Sequence, residues 1–346
     1  MYPGSYGVQQ LGDLVYNLDS SYAPLFGGTI RYVTSTVCND GRIFAPPYDT
    51  DKVLVIDPSR NQSYTLDQSY SGLEKYSTST LANDGRIFAL PYKTNKILVI
   101  DPRANTSYQL PQLLAGNSQY RTSIKTADGR IVGIPFDAPR VLVVDPSSNS
   151  SYSLTTLLGY GHTKYETAVL ASNGIIYCAP NADERFLAID TSLNATYRIG
   201  RNYSNNINKF RTLVKAKDGR LISVPNNAAI TKVVAVDTTR NLTYYIGSTL
   251  TGYTRYRTCQ LANDERIYCP PLYVTKVLVV DPSLNATSYL NQVYSGNKKY
   301  CASYVARDGR IFAVWTLILP TTTLMSYLKS HPIIILTLRP PIRALK

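Results

Sequence analysis

The sequence predicts an all-β fold: a seven-bladed β-propeller of four-stranded antiparallel blades, closed by an N-terminal strand. Three observations carry this expectation. A turn signal, Asp-Gly or its equivalent, recurs at Asp40, Asp84, Asp128, Asn173, Asp218, Asp264 and Asp308, in steps of 44, 44, 45, 45, 46 and 44 residues. A period in the mid-forties built from strand-like pieces is that of a propeller blade. Each copy also divides into four strand-sized segments, and no single copy can bury its own apolar faces, so the copies must stack into one closed body. Closure removes most exposed sheet edges. The repeat therefore overrides the two-domain prior that 346 residues would otherwise suggest.

The second copy shows how a blade is written. The first strand is the Tyr-x-Thr-Ser run, Tyr76 to Leu81. A turn with Gly at the position that needs positive φ follows. The second strand, Arg86 to Ala89, ends at a loop carrying Pro91 and Tyr92, because proline cannot continue the ladder. The third, Lys96 to Ile100, is apolar without alternation, as a strand covered on both faces should be. Asp-Pro closes it at Asp57, Asp101, Asp145 and Asp281, with Thr in place of Pro after Asp190 and Asp237. A short fourth strand, Ser107 to Leu110, completes the unit.

The ends depart from the pattern. Residues 1–31 form an N-terminal segment in which Val15 to Leu25 resembles a fourth strand with no blade of its own. Its expected role is the outer strand of the last blade, a ring clasp. Deleting residues 1–25 is then expected to lower the thermal midpoint by several degrees, and an unchanged melting curve would sink the clasp. Residues 32–313 hold the repeats, and residues 314–346 form a divergent tail. That tail is either a replaced end or a divergent closing part of blade seven, with Ile333 to Leu338 as its third strand. The stretch after Ile311 is broken by Pro320, Lys329, His331 and Pro332, so no membrane-spanning helix is expected.

Composition narrows the partners. Lys and Arg number 36 against 23 Asp and Glu, a net charge of +13. Such an excess draws anionic partners: an acidic protein surface, nucleic acid or an acidic glycan. Twelve acids fall in turns, where carboxylates bond nearby backbone N–H groups. The bases recur elsewhere in the repeat. A basic-aromatic pair opens the first strand in six copies: Arg31-Tyr32, Lys75-Tyr76, Lys164-Tyr165, Lys209-Phe210, Arg255-Tyr256 and Lys299-Tyr300. The third copy has Gln119-Tyr120. Lys52, Lys96, Arg140, Arg185, Lys232 and Lys276 open the third strands. Two residues after the first base stand Arg121, Arg211 and Arg257, with Glu166 in the fourth copy. First strands line a propeller's axis, so these groups are expected to ring the channel mouth and form an anion-binding face.

Chemistry signals are few. His162 with Glu166 is the one acid–base pair to be placed near the mouth, the candidate for lactonase or lyase chemistry. No nucleophile elbow, zinc-protease motif or phosphate loop occurs. No cofactor or metal is expected. Cys38, Cys178, Cys259, Cys269 and Cys301 lack metal-binding spacing. A two-residue turn at Asp264 and Glu265 would set Cys259 opposite Pro270 and Cys269 opposite Gln260, with the sulfurs on opposite faces. Reduced thiols in a non-oxidising compartment are the expectation. The N-terminus lacks a secretory signal pattern, which points to a cytoplasmic or otherwise non-secreted protein, with a place in a virus particle or other assembly left open. Seven Asn-x-Ser/Thr sequons occur, at Asn61, Asn105, Asn149, Asn194, Asn202, Asn241 and Asn285. Six share one repeat position and are read as turn residues suited to left-handed geometry.

The Asp-Gly-Arg-Ile-Phe and Val-Leu-Val-Ile-Asp-Pro segments resemble the repeats of the YncE, NHL and gluconolactonase-like propellers, from Tyr32 to Ala313. The resemblance implies a propeller; the function expected from the basic-aromatic face is a non-enzymatic binding or scaffold protein, with a propeller enzyme of the lactonase or lyase kind as the alternative. Lactonase-like relatives hold a metal with acidic and Asn residues around the channel. Here those positions are mostly Lys, Arg, Ser and Thr, which argues against a metal site.

Overall fold

The computed structural model describes residues 30–114, 119–159, 161–203, 207–253, 255–297, 299–314 and 335–338. Their strands make seven antiparallel sheets, six of four strands and one of three, each hydrogen-bonded in sequence order. Blade two comprises Tyr76–Leu81, Ile87–Pro91, Leu98–Asp101 and Thr106–Gln109. The seven-bladed expectation therefore holds, with the strands close to where the repeat puts them. No helix among the described residues is long and apolar enough to cross a membrane.

The hairpin joining the first two strands is one residue longer than a two-residue turn. In blade two Leu81 pairs with Ile87, and the Ala82 N–H donates to the Arg86 carbonyl at 2.8 Å. Three residues form the loop, a turn followed by a residue in the left-handed region. Gly85 fills that place with φ of 90°, and Glu265 does so in blade six with φ of 65°. The carboxylate of the turn Asp caps the loop: Asp84 accepts from the Arg86 N–H at 2.9 Å.

The core lies between blades, because each sheet is covered on both faces. The third-strand run of blade two splits by strand alternation. Leu98 and Ile100 pack toward blade one with Phe44, Val55 and Tyr76. Ile97 and Val99 pack toward blade three with Tyr120, Leu142 and Val144. All four of these third-strand residues are fully buried.

In blade seven Ala302–Val305 and Ile311–Val314 are joined by Ile335–Leu338, with Ile311 opposite Leu338 and Val314 opposite Ile335. Residues 335–338, within the divergent tail, supply this third strand. The proposed clasp, Val15 to Leu25, lies outside the described residues.

The cysteine expectation is corrected. Cys259 and Cys269 form a disulfide, with their Cα atoms 4.2 Å apart. The physical reason is the three-residue loop: with Gln260 opposite Tyr268 and Leu261 opposite Ile267, the next pair outward is Cys259 and Cys269. A register one residue off had sent the two sulfurs to opposite faces. Cys38, Cys178 and Cys301 are free.

Candidate anion-binding site at the channel mouth

Successive first strands meet side by side, so their hydroxyls lace the channel wall across blades. Thr36 and Ser79 lie 2.7 Å apart, Thr78 and Ser123 2.8 Å, and Thr258 and Ser303 2.6 Å. Thr122 donates to the Glu166 carbonyl at 2.7 Å.

The basic residue of each basic-aromatic pair joins a second, backbone lacing. The Lys75 N–H donates to the Tyr48 carbonyl of the preceding blade, and the Tyr92 N–H donates to the Lys75 carbonyl of its own. The same relay passes through Gln119, Lys164, Lys209 and Arg255 to Lys299. This explains why the pairs are not a binding face. Lys75, Lys164, Lys209, Arg255 and Lys299 are buried, and so are Tyr76, Tyr165, Tyr256 and Tyr300. Their charged heads bond backbone carbonyls: Lys75 to Gly72, Lys164 to Gly161 at 2.9 Å, Lys209 to Ala182 at 3.1 Å and Lys299 to Gly296. Burial lowers the ammonium pKa of all four, Lys209 to about 8. The ring hydroxyls turn inward as well; Tyr32 donates to the Lys52 carbonyl at 3.1 Å and Tyr165 to that of Arg185 at 3.2 Å. The expected contact role of these pairs is therefore corrected to a structural one. Arg31 and Tyr32 keep partial exposure.

The groups two residues past the base behave differently. Arg121, Glu166, Arg211 and Arg257 all retain exposure, and they converge. Glu166 Oε1 lies 3.4 Å from Nη1 of Arg121 and 3.4 Å from Nη1 of Arg211. Asn181 Nδ2 holds Glu166 Oε2 at 2.7 Å, and Arg211 Nη2 donates to Asn208 Oδ1 at 2.8 Å. Burial lowers the pKa of Arg211; Glu166 opposes the shift, while repulsion from Arg257 and Arg121 adds to it. Arg121 also lies over the rings of Phe136 and Tyr92, at 4.9 and 5.8 Å. Those rings continue to Tyr48, with centroids 6.1 Å apart from Tyr48 to Tyr92 and 6.3 Å from Tyr92 to Phe136. Arg121 thus joins an aromatic shelf to a cluster of cations and amides.

The sequence reading missed Asn181, Asn208 and the shelf. Tyr48, Tyr92, Phe136 and Asn181 each follow the proline that ends the second strand, and that shared position was the available signal. The His162–Glu166 pairing is not assembled. His162 is 92% exposed and its Nδ1 faces Asp137 Oδ2 at 3.3 Å, whereas Glu166 is held by Asn181 and two arginines. Among the described residues no group of three or more His, Cys, Asp or Glu gathers as a metal site.

No family model and no curated protein matches the chain. Solved structures resemble it at low identity. A catalytically inactive virginiamycin B lyase from Staphylococcus aureus, solved with quinupristin, is 12% identical with a TM-score of 0.59, covering 82% of this chain and 91% of its own. Hydrazine synthase of Kuenenia stuttgartiensis is 13% identical with a TM-score of 0.58, covering 92% and 98%. A fungal alcohol oxidase solved with copper is 12% identical with a TM-score of 0.55, covering 84% and 72%. These likenesses show the propeller fold alone, since the proteins carry unrelated chemistries on it.

Proposed function

We propose that this protein is a non-enzymatic binding propeller that takes an anionic group of a partner at its channel mouth. One observation carries the reading: Arg121 and Arg211, from two different blades, meet at the single carboxylate of Glu166, and Arg257 of a third blade lies close enough to Arg211 to repel it. Glu166 offsets one charge, and the clustered guanidiniums leave a net positive field for an anion. Planar guanidiniums present paired donors to carboxylate, sulfate or phosphate oxygens. The anion face expected from the repeat narrows to this mouth, because the bases buried in the lacing cannot reach a partner. The alternative of a lactonase or lyase rested on His162 acting with Glu166, and those side chains do not meet. Measurable turnover of lactone or uronate substrates by the wild type would restore it.

The test uses a labelled DNA duplex as a polyanion probe, titrated across a salt series. The R121Q/R211Q/R257Q protein is expected to bind at least about tenfold more weakly, with a salt slope smaller by about 2–3, near one per lost phosphate contact. A variant with wild-type melting behaviour and unchanged affinity and slope would remove the mouth from the binding surface.

A further inference from the structure

The six repeat sequons carry an observation that the turn reading leaves unexplained. Asn61, Asn105, Asn149, Asn194, Asn241 and Asn285 all adopt φ between 50 and 55°, so the turn accounts for the asparagine. It does not account for the hydroxyl two residues later, inside the fourth strand, at Ser63, Ser107, Ser151, Thr196, Thr243 and Thr287. A β-branched apolar or aromatic residue would serve that strand as well. Ser151 Oγ and Thr196 Oγ1 are buried with no hydrogen-bond partner among the described residues, which costs stability. Hydrogen bonding within the fold accounts for the hydroxyl at Ser107, Thr243 and Thr287, but it does not account for keeping one at Ser151 and Thr196.

The asparagines themselves are exposed in all six copies. Five of them latch neighbouring blades, and they use the oxygen. Asn105 Oδ1 accepts from Arg42 at 3.2 Å, Asn149 Oδ1 from Arg86 at 2.7 Å and Asn285 Oδ1 from Arg220 at 2.7 Å. Arginine only donates, so the oxygen must face it and the amide nitrogen faces away. Tyr152 and Tyr177 hydroxyls meet Asn194 Oδ1 and Asn241 Oδ1 in the same way, at 3.1 and 2.7 Å. The seventh sequon, Asn202, lies outside this position, and its Nδ2 donates to Glu184 at 2.7 Å.

We infer that the six repeat asparagines are acceptors for N-linked oligosaccharide, attached before the blades close. In the transfer Nδ2 bonds to the anomeric carbon of a lipid-diphosphate-linked oligosaccharide. That carbon's bond to the phosphate oxygen breaks, the lipid diphosphate leaves, and one amide proton passes to a base of the transferase. The product keeps Oδ1 and one N–H, so every latch survives. The sequon hydroxyl sets the order of events. Ser107 Oγ is buried against the Tyr70 hydroxyl at 2.9 Å, while Thr243 Oγ1 and Thr287 Oγ1 accept backbone N–H groups at 3.1 and 2.9 Å. A folded blade hides the hydroxyl that the motif requires. The Cys259–Cys269 disulfide is independent support, since such bonds form in the oxidising route where this transfer takes place. Glycans would then crowd the face opposite the channel mouth and leave the arginine cluster open.

The full chain, behind a cleavable secretory leader, is translated with endoplasmic-reticulum microsomes present. A protease-protected product carrying five or six endoglycosidase-sensitive mass increments is expected, one being lost with each Asn→Gln change at the repeat positions. Chain folded first and then mixed with solubilised microsomes is expected to gain none. A protected chain without any sensitive increment, or with one that only N202Q removes, would overturn the inference. Full modification of the pre-folded chain would overturn the proposed order.

Discussion

Replacing Arg255 with alanine is expected to cost about 3–5 kcal/mol of stability, through buried carbonyls left without donors and a cavity that cannot fully collapse. Arg255 is 2% exposed, and its guanidinium ties together the loop between blades five and six. Nε donates to Thr251 at 3.1 Å, Nη1 to Asn227 and Ile230 at 2.5 and 2.8 Å, and Nη2 to Leu250 at 3.2 Å. All four acceptors are backbone oxygens. Losing the donors strands groups at about 1–3 kcal/mol each, less whatever water restores. R255K should fall between, because one ammonium replaces one or two of the bonds, as the lysines of other blades do. R255M, which keeps volume without donors, separates the hydrogen-bond loss from the cavity. Urea midpoints at constant slope measure all three. An R255A protein within about 0.5 kcal/mol of the wild type would show that this buried cation does not hold the blades together.

The blade count and strand order were legible because each copy carries its own punctuation, Asp-Gly before the second strand and Asp-Pro after the third. The unbroken apolar third strands were legible because burial on both faces leaves no polar alternation. The fate of Lys75, Lys164, Arg255 and Lys299 was not, because a charge at a strand end reads as solvated until the neighbouring blade is laid over it. One hint was present: a glycine stands three residues before each of these four bases. In three of those copies its carbonyl is the acceptor of the lysine ammonium. Arg121, Arg211 and Arg257 were legible as one group, since they share a register position in the first strands, and two of them meet at Glu166. Their aromatic shelf was not foreseen, because it comes from a loop residue of a different strand.

The second large effect follows from a register that the turn residues concealed. Asp-Gly suggests a two-residue hairpin, yet the third loop residue, in the left-handed region, moves every pairing by one and brings Cys259 and Cys269 together. Their bond closes a loop of separation 10, and both residues sit in the core between blades five and six. Reduction is expected to cost about 2–3 kcal/mol, by the entropy returned to the unfolded chain. Unfolding in urea with and without reductant measures this, and the difference should vanish in a C259A/C269A protein. Thiol counting gives a separate check. Denatured but unreduced protein should take up label at Cys38, Cys178 and Cys301 only, and all five cysteines should react after reduction. In the folded state Cys38 and Cys178 have little means of attacking the bond near neutral pH, since burial raises Cys38 to about 11 and raises Cys178 as well. Five labelled thiols without reductant would dismiss the bond. The support it lends to an oxidising compartment, and with it to glycosylation of the repeat asparagines, would then be lost.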